Sequence, residues 1–155
     1  MNTALRICVA VPTLLAASGA LSQMKLPELQ KQPTPQAVLD EHFAALNACD
    51  WNRLLAQYPD SAQINLPGGA IAQGRAAIGE LFAGFCKDPK AGGLKGIHFE
   101  AEHTTPIGGV FATQWVVTAP FLAEPYRGSD AYITQDGYMQ AMVTTFDGAA
   151  LKMKK

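Results

Sequence analysis

Two side chains stand where their types are unusual, and both are of the kind that moves protons. His42 falls on the apolar flank of a predicted helix, in LDEHFAAL, and Asp130 falls in GSDAY, inside a predicted strand otherwise rich in apolar and aromatic residues. Aspartate is depleted in strands, so its presence asks for a partner or a task. Histidine changes charge near neutral pH, which suits it to acid–base work, although a lone histidine on an apolar face is more often a core residue. An imidazole facing a carboxyl could pass a proton, or hold one carbonyl or hydroxyl of a ligand between them.

Other residues with chemical capacity read differently. His98, Glu100, Glu102 and His103 are metal-ligand types close together in the chain. Strict strand alternation sets the first three on one face and His103 on the other, so the segment reads as a solvated strand face and no metal site is expected. Cys49 and Cys86 read as buried, inert thiols, with a disulfide as the alternative that an oxidising compartment would allow. The chain contains no Gly-rich phosphate loop, G-x-S-x-G elbow, C-x-x-C or H-E-x-x-H, and no cofactor is expected.

The elements that must carry His42 and Asp130 follow from periodicity and turn chemistry. Thr34 can cap a helix with Pro35 at its first position, and Leu39, Phe43 and Leu46 then recur at helical spacing. Asp50 reads as the cap of a second helix, in which Trp51, Leu54, Leu55 and Tyr58 line one flank before Pro59 stops it. A short extended piece, Gln63 to Leu66, leads through Pro-Gly-Gly to a third helix from about Arg75 to Cys86. Gly79 and Gly84 weaken that helix by roughly 1 kcal/mol each relative to alanine, so packing must hold it. The second half alternates with strand period from Ile97 to Glu102, from Val110 to Thr118, and across Tyr126 to Thr134 and Tyr138 to Phe146, which flank the hairpin signal Asp136-Gly137. Helices first and an antiparallel sheet afterwards argue for an α+β domain.

Composition bounds the rest. The chain has 155 residues, 48% of them hydrophobic and 16% charged, which suits one globular domain. A formal charge of -1 leaves no basic excess for phosphates, so nucleic acid is not an expected partner. Residues 1 to 22 read as a signal peptide: Arg6 precedes the apolar run Ile7 to Leu21, and small residues follow. The run is shorter than the roughly 20 residues a membrane span needs. The expectation is a periplasmic or secreted protein, with no membrane contact after cleavage, a leader over 23–33, a domain over 34–150 and a solvated basic tail over 151–155.

The runs HFAALNACD, LLAQYPDSAQINLPGG, GRAAIGELF and GSDAYITQDGYMQAMVTTFDG resemble the helices and strands of the steroid delta-isomerases and SnoaL-like proteins, of the nuclear-transport-factor-2-like class. The resemblance implies a cone-shaped curved antiparallel sheet with three N-terminal helices packed on it. In the isomerases a helix tyrosine and a strand aspartic acid donate to a developing oxyanion, while a further aspartate shuttles the proton. By correspondence Asp130 takes the place of the oxyanion-side acid, His42 that of the tyrosine, and Leu66 that of the base. Leucine accepts no proton, and a histidine beside the carboxyl would draw its proton to form a charged couple. The implied catalytic residues are His42 and Asp130, and the implied ligand-binding residues are Tyr58, Leu66, Phe99, Trp115, Tyr132, Met142 and Phe146. The expected ligand is a small, mostly apolar molecule with one polar group, with proton transfer or hydration as the chemistry. The alternative is a non-catalytic module that dimerises or docks a partner through the sheet's outer face, and a homodimer is left open.

Overall fold

The computed structural model describes residues 25–155; the predicted signal peptide lies outside the described residues. Thr34 opens helix α1 (Pro35–Asn47) as its hydroxyl accepts the Ala37 N–H at 3.1 Å, with Pro35 in the first turn. Asp50 caps α2 (Trp51–Leu55) by accepting from the Arg53 N–H. The apolar pattern carries α2 on to Tyr58, but the helix ends at Leu55: Pro59 disfavours helical backbone at the residue before it, and the Gln57 and Tyr58 N–H groups close tighter bonds to Leu54 and Leu55. Helix α3 spans Gly74–Phe85.

Six strands form one curved, open sheet: β1 (Gln63–Asn65), β2 (Ile71–Gln73), β3 (His98–Ile107), β4 (Val110–Thr118), β5 (Tyr126–Gln135) and β6 (Tyr138–Thr144), in the order β2-β1-β6-β5-β4-β3. Every neighbouring pair is antiparallel except β1 and β6, which are parallel. Such a pair needs a long crossover, here supplied by α3 and the β3–β5 meander. Strand β2 has only three residues, too few to show a period in sequence. Asp136 and Gly137 both take positive φ, 53° and 83°, as the two-residue turn between β5 and β6 requires.

One register feature overturns a sequence expectation. The β3–β4 pairing shifts between Ala101 and His103, so Glu102 is an extra residue. Directly paired residues share a face, and His103 pairs with Gln114 while Ala101 pairs with the buried Trp115. The bulge therefore returns His103 to the outer face with His98, Glu100 and Glu102, where strict alternation had separated it. Glu102 is engaged by Arg127 through two hydrogen bonds of 2.9 Å. Among the described residues no group of His, Cys, Asp and Glu has a metal-holding arrangement.

The helices cover the sheet's inner face, and α1 lies across β3, β5 and β6. Asn47, the last residue of α1, fixes this crossing: its side chain donates to the Phe99 carbonyl at 2.9 Å and accepts from the Phe99 N–H at 2.8 Å. Trp51 donates its indole N–H to the Gly79 carbonyl at 2.9 Å, joining α2 to α3. Cys49 and Cys86 are bonded, their Cα atoms 5.7 Å apart, so the turn after α1 is tied to the end of α3. The sequence reading of free thiols is thereby corrected, because chain entry into α2 and exit from α3 bring the two together.

The segments flanking the domain are held down among the described residues. The leader carries Gln30 N–H to the Ala56 carbonyl and Gln32 N–H to the Gly137 carbonyl, and the buried Arg75 guanidinium binds the Pro27 and Leu55 carbonyls. The basic tail departs from its expected solvated state. Leu151 is buried, Met153 bridges Leu122, and Lys154 N–H reaches the Phe121 carbonyl, so the tail's backbone is paired while its lysine side chains stay exposed.

Candidate functional site

His42 lies on the buried face of α1 with Val38, Leu39, Ala45 and Leu46, and is 1% exposed. The rings of Phe43, Tyr58, Phe82 and Tyr132 surround it at centroid distances of 5.4 to 6.1 Å. Its Nδ1 lies 3.1 Å from the Tyr58 hydroxyl. Burial in this apolar shell pushes the imidazole pKa down from 6.5 to about 4, because the charged form would lose its hydration. The ring is neutral at pH 7.

Asp130 sits inside the sheet, opposite Thr113 of β4 and Thr144 of β6. Its Oδ1 accepts the Thr145 N–H at 2.9 Å and its Oδ2 accepts the Tyr132 hydroxyl at 3.1 Å. Tyr132 reaches it because residues two apart on a strand share a face. Burial raises the carboxyl's pKa above its ordinary value, opposed by hydrogen bonding from Thr145 and by its side-chain neighbours Thr144, Trp115 and Tyr132. The Trp115 indole N–H also lowers it, although that N–H closes no hydrogen bond to any described residue.

The two groups open onto one cavity of about 90 Å³, lined by His42, Leu46, Leu66, Leu81, Phe82, Phe85, Phe99, Asp130, Tyr132, Met142, Thr144 and Phe146. Half-buried Leu66, Leu81, Phe85 and Phe146 form its mouth. Of the residues expected to line it, Leu66, Phe99, Tyr132, Met142 and Phe146 do so. Tyr58 and Trp115 do not: both are fully buried, Tyr58 behind His42 and Trp115 packed among Phe99, Tyr126 and Phe146. Sequence reasoning missed Leu46, Leu81, Phe82, Phe85 and Thr144. Strand period from Met142 and Phe146 would have found Thr144, whereas the α3 residues depend on how that helix crosses the sheet.

The charged couple expected from sequence is absent. Among the described residues His42 bonds to Tyr58 and Asp130 to Tyr132 and Thr145, and no hydrogen bond or ion pair joins imidazole and carboxylate. Each finds a neutral partner, and desolvation alone sets the histidine's pKa. The cavity thus presents two polar points on an apolar wall, with Leu66 at the mouth offering no proton acceptor. A larger hollow of about 400 Å³ lies on the sheet's outer face, lined mainly by the exposed or small residues His103, Thr105, Ala112, Gln114, Ser129, Ala131, Val143 and Thr145. The buried Thr113 and Asp130 also border it, but only the smaller inner cavity brings Asp130 together with His42 on an apolar wall, so the inner cavity is the stronger candidate.

The SnoaL-like domain profile matches residues 39–147. Solved structures of similar fold include RV0760c from Mycobacterium tuberculosis, 17% identical with a TM-score of 0.63 over 81% of this chain and 99% of that one. An NTF2-like protein of unknown function from Cytophaga hutchinsonii is 13% identical, with a TM-score of 0.60 over 78% of this chain and 96% of that one. SalBIII, an epoxide hydrolase/cyclase-like enzyme with a role in pyran ring formation in the polyether salinomycin, is 15% identical, with a TM-score of 0.61 over 77% of this chain and 95% of that one. No curated protein matches the chain. At these identities the likeness carries the fold and nothing further.

Proposed function

The chain belongs to the SnoaL-like domain family, and from that premise we propose that it is an exported protein whose inner cavity binds a small, mostly apolar molecule through one polar group. The observation that carries this reading is the meeting of His42 and Asp130 on the wall of one apolar cavity. Pockets of this kind hold a ligand by apolar contact and orient it by a few polar groups. The volume of about 90 Å³ is below the roughly 300–1,000 Å³ of drug-sized sites, so the resting cavity suits a single small ring, and a larger ligand requires the side chains at the mouth to move. With the imidazole neutral and burial raising the carboxyl's pKa, the chemistry available is hydrogen bonding to, and polarisation of, a carbonyl or hydroxyl. Proton transfer or hydration at that group is the reaction class this supports.

Export is supported by the apolar segment from Ile7 to Leu21 and by the Cys49–Cys86 bond, since disulfides persist in oxidising compartments. The periplasm or the extracellular medium is the proposed location. Native mass spectrometry of protein purified from its own host tests the binding reading. A retained small molecule, lost in His42→Ala, is the expected result, and a ligand-free spectrum with no uptake of small cyclic ketones or alcohols would overturn it. A second reading, a non-catalytic dimerising module, draws on the outer hollow and on Val143, which is 45% exposed at its edge. Sedimentation of wild type against Val143→Lys decides it: a dimer dissolved by that charge would favour this reading.

A further inference from the structure

Resting on that reading of the cavity, we propose that Tyr58, which does not touch the cavity, makes it selective for ligands that accept a hydrogen bond, by fixing the His42 ring with its proton on Nε2. Hydrogen-bond satisfaction decides which nitrogen carries the proton. The Tyr58 side chain is fully buried, and His42 Nδ1 is the one group within hydrogen-bond distance of its hydroxyl among the described residues. A phenol carries one proton and cannot place it on an N–H. If Nδ1 carried the imidazole proton it would donate to the phenol oxygen, and the phenol proton would then be buried without an acceptor, an arrangement that native interiors avoid. With the phenol donating to a bare Nδ1, the buried phenol proton has its acceptor, and only the imidazole proton is left to face the cavity.

The neutral ring then carries its one proton on Nε2. That nitrogen makes no hydrogen bond to any described residue, and the ring lines the cavity. It is therefore a donor waiting for an acceptor. The rings of Phe43, Phe82 and Tyr132 pack around the imidazole, and none accepts a hydrogen bond from Nε2. Tyr58 is a positioning residue here, acting on the ligand through His42.

Long-range ¹H–¹⁵N spectra of the His42 ring in the ligand-free protein test the tautomer directly, without any ligand. Wild type should show a protonated Nε2 and a bare Nδ1, and Tyr58→Phe should shift the population toward Nδ1–H. A protonated Nδ1 in wild type, or an unchanged ring in a folded Tyr58→Phe, would overturn the proposal. Two five-membered probes then read the consequence: cyclopentanone accepts but does not donate, and pyrrole donates but does not accept. The preference for cyclopentanone over pyrrole should fall about tenfold in Tyr58→Phe. Equal preference in both proteins would overturn the selectivity. Failure of both probes to bind would instead count against the cavity as a binding site, with the tautomer still measured.

Discussion

At the scale of single residues, the rings around His42 set how the protein responds to acid. The unfolded imidazole titrates near 6.5 and the folded one near 4, so between these values the unfolded chain binds a proton that the fold refuses. Stability is therefore lost as pH falls through that window, and is fully present above it. Asp130 acts with the opposite sign: its raised pKa favours the protonated fold, so its contribution is present in acid and lost as pH climbs above the ordinary value of 3.8. Urea unfolding at pH 7 and pH 4.5 should show wild type about 2 kcal/mol less stable at the lower pH on account of His42, with a flatter dependence in His42→Gln. A parallel loss in both proteins would remove His42 from the account. Because burial and not a counter-ion sets this pKa, Asp130→Asn should leave the NMR titration of His42 where it is, the reverse of what a charged couple would do. Leu66 carries a second prediction. Wild type should not turn over a β,γ-unsaturated ketosteroid above background, since a positioned base contributes roughly 100- to 10,000-fold; brisk turnover would mean that another group on this wall takes the proton.

At the scale of elements, the two glycines of α3 separate. Both look equally unfavourable in a helix from sequence. A Cβ on Gly79 would lie 2.7 Å from Leu55 Cδ1 and 3.1 Å from the Trp51 ring, so this glycine lets α2 and α3 touch. A Cβ on Gly84 would meet nothing within 4 Å. Gly79→Ala should destabilise by about 1–3 kcal/mol through overpacking, and Gly84→Ala should stabilise by about 0.5–1 kcal/mol through helix propensity. Chemical denaturation of the two variants checks both signs, and a stabilised Gly79→Ala would show that the helices can part without cost. The Glu102 bulge belongs to this scale as well. Alternation in HFEAEH placed His103 inward, and one added residue returned it to solvent, because register is a property of two strands and is invisible in one.

At the scale of the whole molecule, the Cys49–Cys86 bond closes a loop spanning 37 positions around α2, β1, β2 and α3. Cross-linking a loop of this length removes about 4 kcal/mol of unfolded-state entropy at 25 °C. The double variant Cys49→Ser/Cys86→Ser should lose about 2–4 kcal/mol in urea unfolding, and thiol titration of the unreduced, denatured wild type should find neither cysteine reactive. Two reactive thiols would remove the cross-link. The bond also bears on the cavity: it pins the end of α3 near Phe85, one of the four side chains at the mouth, so reduction should loosen ligand retention along with the fold.

Local chemistry was enough to fix much of this. The cap at Thr34, the Asp136-Gly137 turn, the helical period before residue 86 and the strand period after residue 97 were all written in neighbouring residues, because caps, turns and amphipathic faces are satisfied within a few positions along the chain. The likeness of the sequence runs to a known family carried the cone and drew attention to His42, Leu66 and Asp130. What required the tertiary structure was each fact that depends on two distant segments at once: the parallel β1–β6 pair, the bulge, the disulfide, and the α3 side chains at the mouth. The partners of His42 belong to the same class. Its charge state follows from how completely Phe43, Tyr58, Phe82 and Tyr132 exclude water from it, and its protonation pattern follows from a hydroxyl 16 residues away, so an imidazole that the sequence offered as half of an ion pair became, once enclosed, a neutral hydrogen-bonding group.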